Sequence, residues 1–355
     1  MTGSNFGKAF QITTFGESHG KALGVVIQGC PAGIPIEEQT IQKALDLRKP
    51  GTGPASTKRK EPDVPKILSG TFEGKTTGTP IMILIENQDA KSKSYDDIKD
   101  VFRPGHGDYT YFKKFGIRDY RGGGRASARE TAARVAAGAV AQMVLDPHKI
   151  KIQSHTIALG GIWAKGYDKD AIDKNPFKVA DLGAANAMAE RVETIKQEGD
   201  SLGGIVEIRA VNVPAGLGDP VFDKLDGEIA KAMMSIGAVK AVEIGAGTRA
   251  AELTGSQNND PMTRQGFLSN NAGGILAGIS NGEDIIVRVH VKPIPSILKP
   301  QQTLKHDGKS VTISTQGRHD ICAIPRINKI CEAMLTLVLA DHLLRQTCQA
   351  GGYIP

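Results

Sequence analysis

The sequence has few of the features that mark membrane, metal-binding or disulfide-stabilised proteins. It contains no apolar run of about 18 residues, the length that a membrane-spanning helix requires. No H-x-H or H-E-x-x-H spacing is present, so we expect no zinc site. The first ten residues, MTGSNFGKAF, lack the apolar segment of a signal peptide, and we expect a cytoplasmic protein. We expect reduced thiols at the four widely spaced cysteines, Cys30, Cys322, Cys331 and Cys348.

Aromatic residues are also scarce, at 5% of the 355 residues, which is few for a protein that stacks nucleic-acid bases. The net charge of +6 nevertheless favours an anionic partner. A nucleic acid and a phosphorylated small molecule both fit this charge. The 42 glycines indicate many tight turns or close approaches of backbone to ligands.

Strand and helix patterns follow one another without regular βα alternation. Residues 23–28 and 80–87 predict strands, and residues 284–292 alternate apolar and polar side chains as a half-buried strand does. Residues 127–145 and 328–345 predict interior helices, because their side chains are small or apolar on all sides. We therefore expect an α+β fold in which antiparallel sheets cover central helices, rather than a doubly wound parallel sheet.

Two pseudo-repeated halves within a single domain are a second expectation. Residues 1–150 and 151–355 each read strand, Pro-Ala-Gly turn, helix, and later an arginine-bearing loop before a long helix. This pattern indicates an internal duplication, although a chance match of short motifs explains it nearly as well. The polar residues 88–124 predict a loop. One face of a helix in the second half is predicted to contain Phe222, Leu225, Ile229, Met233 and Ile236.

Residues 16–20, GESHG, match the G-x-S-x-G pattern of a serine-hydrolase elbow, in which Ser18 would be the nucleophile. Such an elbow needs a helix after the serine, whereas a strand-like run follows here. We expect His19 to be the reactive residue instead, because imidazole carries a proton near neutral pH. A plain turn is the alternative.

A second histidine between glycines, His106, lies in RPGHGDY close to Arg103 and Asp108. Two such histidines in a basic chain indicate acid–base chemistry, and a solvated loop histidine is the alternative.

Three other segments are rich in arginine. Residues 118–134, RDYRGGGRASARETAAR, place three glycines before a predicted helix N-terminus, where free N–H groups bind anions. Residues 48–60 carry five positive charges and predict either a lid over a charged substrate or a mobile loop. In residues 316–326, Asp320 stands among arginines that would keep it ionised, as a base or as part of a salt-bridged helix start.

Six blocks of the sequence resemble the chorismate synthase family. They occur in the family's order over residues 5–346 and read FGESHG, RPGHGDYTY, DYRGGGRASARETAARVAAGA, SIGAVKAVEIG, NNAGGILAGISNG and GRHDICAIPR. The resemblance implies a β-α-β sandwich with helices between antiparallel sheets, assembled as a homotetramer.

The resemblance also implies an activity. The family converts 5-enolpyruvylshikimate 3-phosphate to chorismate and phosphate, the last step of the shikimate pathway that supplies aromatic amino acids. This anti-1,4-elimination removes the C3 phosphate and a C6 hydrogen, and it requires reduced FMN (FMNH2) without net redox change. The implied partner is this small-molecule substrate, with neither nucleic acid nor membrane.

Individual residues match positions with known roles in the family. His19 is similar to the histidine that protonates the departing phosphate, His106 to the one near flavin N1, and Asp320 to the carboxylate that works with flavin N5. The implied substrate-binding residues are Arg48, Arg103, Arg125 and Arg318. The implied flavin contacts are Arg125, Ala126, Ser127, Gly237, Ala238, Ala277, Lys292, Pro293, Ile294, Pro295, Ser296 and Arg318.

Some of these positions depart from the family's common residues. In the flavin site these are Ala126, Gly237, Ala277 and Pro295. Because such contacts are made by backbone, we expect flavin binding to survive. Pro54 replaces an arginine proposed to bind NADP in many bacterial members, which weakens an NADP site at Arg48 and Pro54. We expect NADPH, if it is used, only as a reductant of the flavin, and an external reductant remains equally open.

Overall fold

Two five-stranded antiparallel sheets form the outer layers of the protein. The computed structural model describes residues 3–49, 55, 61–88, 98–315 and 320–349. The first sheet has the order β1–β2–β3–β7–β4 and consists of Asn5–Phe6 (β1), Gln11–Gly16 (β2), Ala22–Gln28 (β3), Pro65–Ile67 (β4) and Ile81–Glu86 (β7). The second has the order β11–β16–β10–β8–β9 and consists of Lys151–Leu159 (β8), Ile162–Trp163 (β9), Gly204–Val211 (β10), Val239–Ile244 (β11) and Ile285–Val291 (β16).

Short hairpins and seven α-helices complete the described part of the chain. The hairpins pair Thr71–Phe72 (β5) with Lys75–Thr76 (β6), Met262–Thr263 (β12) with Gly266–Phe267 (β13), Ile275–Leu276 (β14) with Ile279–Ser280 (β15), and Gln301–Leu304 (β17) with Ser310–Ile313 (β18). The helices are Glu38–Arg48 (α1), Asp108–Phe115 (α2), Thr131–Leu145 (α3), Leu182–Gln197 (α4), Leu225–Met234 (α5), Gly255–Asn258 (α6) and Ile324–Gln349 (α7).

Helices α3 and α7 lie between the two sheets and pack directly on each other. Helix α3 contacts β2, β3 and β7, whereas α7 contacts β8 and β10. Alanine and valine make up most of α3 and are almost all buried, so the helix is apolar on every side. The structure therefore confirms the predicted α+β fold with central helices between antiparallel sheets. The internal duplication stays a prediction.

Strand β16 confirms the predicted alternation. Ile285, Val287, Val289 and Val291 are buried, and the residues between them are half-buried. Across the sheet, Val289 pairs with Val206 of β10, whose side chain also lies in the core. The apolar faces of the second sheet therefore lie on α7.

Two expectations about local structure were wrong. The predicted loop at residues 88–124 contains helix α2, which has only Asp108 buried and so lacks the apolar period that reveals a helix. Gly116, in the left-handed conformation, ends this helix. Phe222 lies outside α5 and is 96% exposed, although Leu225, Ile229 and Met233 are buried on the helix as predicted.

No helix among the described residues is long and apolar enough to cross a membrane.

The close approach of α3 to α7 depends on Gly138. A Cβ atom at this position would lie 2.6 Å from Cβ and 2.8 Å from Cα of Ala333 on α7, so the helices would have to separate. We predict that Gly138→Ala destabilises the protein by about 1–3 kcal/mol. The matched control is Gly227→Ala in α5, where the nearest atom to a Cβ lies 4.0 Å away. This variant should gain about 0.5–1 kcal/mol from helix propensity. Chemical denaturation of both variants measures the difference, and equal stabilities would contradict the packing argument.

Candidate active site

A cavity of about 1080 Å³ lies among the described residues. It is bounded by the N-terminal strand β1, the loop 103–107, the segment 123–134, the turn 235–238, the loop 292–296 and the start of α7. Ligand sites commonly measure roughly 300–1,000 Å³, so this cavity lies at the upper end of that range.

The lining of the cavity is strongly cationic. Eight positively charged side chains line it: Arg48, Arg103, Lys114, Arg125, Arg129, Arg134, Lys292 and Arg326. Within the described part of the chain, three carboxylates also line it: Glu61, Glu130 and Asp320. An excess of fixed positive charge in a recess attracts and holds polyanions. No group of three side chains suited to metal binding occurs among the described residues.

Asp63 holds two of these arginines in place. Its carboxylate accepts a hydrogen bond of 2.7 Å from Nη2 of Arg48 and another from Nη1 of Arg129. Asp63 and Arg48 are both 0% exposed. Arg48 also donates to the Ala128 carbonyl and to Oγ1 of Thr131, each at 3.3 Å, at the start of α3. The three-residue cluster therefore fixes the end of α1 against the start of α3.

Burial and ion pairing together determine the charge states of Arg48 and Asp63. Burial lowers the pKa of Arg48 to about 10, against the opposing attraction of Asp63, so Arg48 is charged at neutral pH. Burial alone would raise the pKa of Asp63. Because Arg48 and Arg129 outweigh burial, the pKa of Asp63 lies below its usual range. Arg48 and Asp63 therefore form a buried ion pair beside the cavity.

A second buried carboxylate, Asp108 at the start of α2, holds the loop that contains His106. Its Oδ2 accepts from the backbone N–H of Arg103 at 3.1 Å and from Nε of Arg103 at 2.7 Å. Its Oδ1 lies 2.8 Å from Nη2 of Arg103, 2.7 Å from Nη1 of Arg118 and 2.9 Å from Nδ1 of His106. Burial opposes ionisation of Asp108, but the bonds from Arg103 and His106 prevail and hold its pKa well below the ordinary value.

The glycine-rich segment before α3 forms two short 3₁₀ turns, Gly124–Ala126 and Ala128–Glu130. The hydroxyl of Ser127 accepts from the backbone N–H of Arg129 and caps the second turn. Arg125 lines the cavity and also bonds to the Gly16 carbonyl and to Thr14 of β2, so it joins the segment to the first sheet. Helix α3 therefore begins at Thr131, later than the sequence predicted.

Arg134, one turn into α3, links the cavity wall to the turn 235–238. It donates to Glu130 at 2.9 Å and to the hydroxyl of Ser235 at 2.6 Å.

Ser18 and His19 lie in the turn that joins antiparallel strands β2 and β3. No helix follows Ser18, which is buried with its hydroxyl 3.1 Å from Nδ1 of its neighbour His19. The serine-hydrolase elbow is therefore wrong. The imidazole of His19 packs on Gly122, where a Cβ would lie 2.5 Å from Nδ1. Gly122 has φ +77°, a conformation that also favours glycine. Gly122, against which His19 packs, is followed by Gly123, and Gly123 lines the cavity. His19 therefore lies behind this part of the cavity wall.

The start of α7 supplies the opposite wall. Asp320 lines the cavity, is 9% exposed and is ion-paired with Arg326. Arg318 and Pro54 lie outside the described residues, as do most of residues 48–60, so the predicted lid is outside them too.

Most of the expected flavin-binding positions are brought together on one side of the cavity. The lining includes Arg125, Ala126, Ser127, Gly237, Ala238, Lys292, Ile294, Pro295 and Ser296. Pro293 and Ala277 do not line it. Ala277 lies between β14 and β15 with φ +52°. The ammonium group of Lys292 donates to the Gly105 carbonyl at 2.8 Å and so joins this loop to the one that contains His106.

Sequence reasoning missed the residues that hold the site together. It did not single out Asp63, and it noted Asp108 only as a neighbour of His106. The contacts of Asp63 with Arg48 and Arg129 span 15 and 66 positions in the chain. Only the Asp108 contacts were visible as a local pattern, the R-P-G-H-G-D spacing.

The fold and the site define an α+β protein with a cationic cavity that has a histidine and a carboxylate on its walls. Comparisons with known proteins narrow this class. The sequence profile of the family described as chorismate synthase matches residues 10–344. The chorismate synthase of Desulfatibacillum aliphaticivorans is 63% identical over 346 residues, covering 98% of this chain and 97% of that protein.

Further relatives agree. The chorismate synthase of Desulfosudis oleivorans is 62% identical over 347 residues, covering 98% of each chain. A crystal structure of a chorismate synthase matches with a TM-score of 0.74 and 33% identity, covering 95% of this chain and 92% of that one. The chain belongs to the chorismate synthase family. This is a family of lyases that form chorismate in the shikimate pathway for aromatic amino-acid biosynthesis.

The Asp63 cluster yields a stability prediction. Asp63 has φ +50°, which asparagine tolerates well, so Asp63→Asn removes the charge without straining the backbone. Arg48 and Arg129 would remain buried without their counter-charge, and we predict a loss of about 3–5 kcal/mol near neutral pH.

The stability that Asp63→Asn loses relative to wild type should become smaller as the pH falls. Because the folded pKa of Asp63 is depressed, its stabilisation is complete above the unfolded pKa of about 3.9 and declines as pH falls towards the folded value. Urea denaturation from pH 7 to pH 3 measures the gap between wild type and variant. Asp173→Asn, whose carboxylate is 84% exposed, is the control and should stay within about 0.5 kcal/mol. A similar small effect at Asp63 would contradict the structural role of the cluster.

Proposed function

We propose that this chain converts 5-enolpyruvylshikimate 3-phosphate to chorismate and phosphate by anti-1,4-elimination, with reduced FMN bound beside the substrate. The observation that supports this most is the large cavity with eight cationic side chains. The substrate has one phosphate and two carboxylates and therefore needs several fixed cations. Arginine is suited to this purpose, because its planar fork binds oxyanions through paired N–H groups.

Unpaired buried N–H groups support a site for an anionic ligand. Within the described residues, Nε of Arg48, Nη2 of Arg129 and Nε of Arg326 are buried without a hydrogen-bond acceptor. All three side chains line the cavity. These guanidinium groups are positive charges beside the cavity, so an anionic ligand would bind favourably next to them. Arg103 and Arg125 bind the substrate from the other walls.

The residues present also fit a flavin. The described atoms leave open space beyond Gly237, where a Cβ would meet nothing within 4 Å, and the adjoining Ala238 also lines the cavity. Lys292, Ser296, Arg134 and Ser127 supply polar groups around this space. Bound reduced FMN would supply electron density to the substrate as the phosphate departs.

We assign the proton transfers of the reaction to three side chains. His106 accepts and returns a proton at the wall of the cavity where its loop meets Lys292. Asp320, which is ion-paired with Arg326, accepts the proton that originates from C6. His19, which packs against Gly122 behind the cavity wall, protonates the departing phosphate. Since the reaction separates charge, fixed groups in a recess stabilise it more than water would.

The reductant and location of the enzyme are part of the proposal. Arg48 is fully buried on Asp63 and is not presented to a dinucleotide at the surface. NADPH, where it serves, therefore acts only as a reductant of the flavin. We place the chain in the cytoplasm, where this biosynthetic substrate and reducing equivalents meet.

Activity under strictly anaerobic conditions tests the proposal. With reduced FMN and 5-enolpyruvylshikimate 3-phosphate, the chain should release chorismate, which is followed by its ultraviolet absorbance. His106→Ala and His19→Ala should each slow turnover on the order of 10²-fold or more, because each removes a proton-transfer group. Circular dichroism should show an unchanged fold. No chorismate from wild type would refute the proposed reaction, and wild-type rates in both variants would refute the assigned proton roles.

We also propose that four copies of the chain assemble, as the family resemblance implies. Ala277 lies outside the cavity of its own chain, so its contact with a bound flavin requires a neighbouring copy. Sedimentation velocity at micromolar concentration should give a species of about four times the chain mass of 37.7 kDa. A monomer that retains full activity would contradict this assembly.

A further inference from the structure

Nδ1 of the His106 imidazole has two polar neighbours, and each requires a different protonation state of this nitrogen. Nδ1 lies 2.9 Å from Oδ1 of Asp108 and 3.2 Å from Nη2 of Arg103. A carboxylate oxygen needs Nδ1 to carry a proton, whereas an arginine N–H needs Nδ1 to be bare. The tautomer of His106 therefore depends on which of the two neighbours forms the hydrogen bond with Nδ1.

The hydrogen bonds that Arg103 donates determine whether Nδ1 of His106 is protonated or bare. Nη2 carries two hydrogens and has two oxygen acceptors, Oδ1 of Asp108 and the Gly122 carbonyl, each at 2.8 Å. Both oxygens are closer than the imidazole nitrogen. With both of its hydrogens committed to oxygen, Nη2 of Arg103 has none to donate to His106. Nδ1 must then carry the proton and donate it to Asp108.

The position of Asp108 fixes which edge of the ring meets the ligands. His106 lines the cavity, whereas Asp108 is buried and does not. The Nδ1 edge is therefore turned away from the cavity. Nε2, at the opposite edge, is the nitrogen turned towards a bound molecule, and in the neutral ring it is bare.

Asp108 cannot follow a movement of the ring, because it is anchored from the other side. Arg118 contacts Oδ1 through Nη1 at 2.7 Å and donates through Nη2 to the Lys99 carbonyl, also at 2.7 Å. The backbone N–H of Arg103 holds Oδ2. The acceptor for Nδ1 is thus attached to the chain on both sides of the His106 loop.

From this geometry we infer that Asp108 is a positioning residue for His106. It selects the Nδ1–H tautomer and presents bare Nε2 to the cavity, ready to accept a proton from a bound molecule and to return it. The consequence for turnover rests on the proposed function, but the tautomer does not.

The tautomer can be measured on the wild-type protein without substrate or flavin. In protein labelled with ¹⁵N-histidine, a protonated ring nitrogen and a bare one have well-separated ¹⁵N shifts, and the His106→Gln spectrum assigns the signals. At a pH high enough for the ring to be neutral, Nδ1 should have the shift of a protonated nitrogen and Nε2 that of a bare one. The opposite pattern in wild type would overturn the inference.

Two variants of the same buried cluster separate positioning from mere structural support. Asp108→Asn removes the carboxylate, so the preference for Nδ1–H should be lost. Arg118→Lys disturbs the same cluster but keeps the carboxylate, so the wild-type tautomer should be retained. An unchanged tautomer in Asp108→Asn would overturn the inference, as would equal loss of the preference in both. Glu193→Gln, an exposed carboxylate paired with Lys196, is the control for the chemical change.

Turnover then tests the functional consequence. In the anaerobic assay, kcat should fall on the order of 10²-fold in Asp108→Asn, because a misplaced proton-transfer group loses its catalytic contribution. The decrease in Arg118→Lys should be smaller. If wild type forms no chorismate but shows the Nδ1–H pattern, the proposed reaction is wrong and the positioning by Asp108 stands. If wild type is active and Asp108→Asn retains the wild-type kcat, the positioning role is wrong and the reaction stands.

Discussion

Burying arginines beside an open cavity is the constraint on which the rest of this structure depends. A guanidinium group loses hydration on burial and needs a counter-charge to remain there. Asp63 supplies it for Arg48 and Arg129, and Asp108 supplies it for Arg103 and Arg118. Around Asp108 there are two arginines for one carboxylate, so a positive field remains there. That excess is what an anionic substrate would encounter.

The fold serves this arrangement by bringing distant segments to one place. Small residues on α3 allow α7 to approach closely, and the starts of both helices then face the same cavity. The hairpin of β2 and β3 is joined to the segment before α3 through Arg125. Since buried carboxylates hold Arg48, Arg103 and Arg129, these side chains are held in place before any ligand binds.

The architecture was easier to predict from the sequence than the buried carboxylates that hold the residues of the site. Strand β16 and helix α3 were predictable because their apolar patterns are regular and long. Helix α2 was not, because it buries only an aspartate. The histidines and arginines stood out through glycine-rich surroundings and family resemblance. Asp63 did not, because the arginines it holds come close only after folding, and no local spacing encodes them.

The central claim is that the cationic cavity is preorganised by buried carboxylates. Crystal structures with and without 5-enolpyruvylshikimate 3-phosphate and reduced FMN would test it most directly. The account predicts that the guanidinium groups of Arg48, Arg103 and Arg129 occupy the same positions in both, within about 1 Å. Arginines that leave Asp63 or Asp108 to reach the ligand would contradict it.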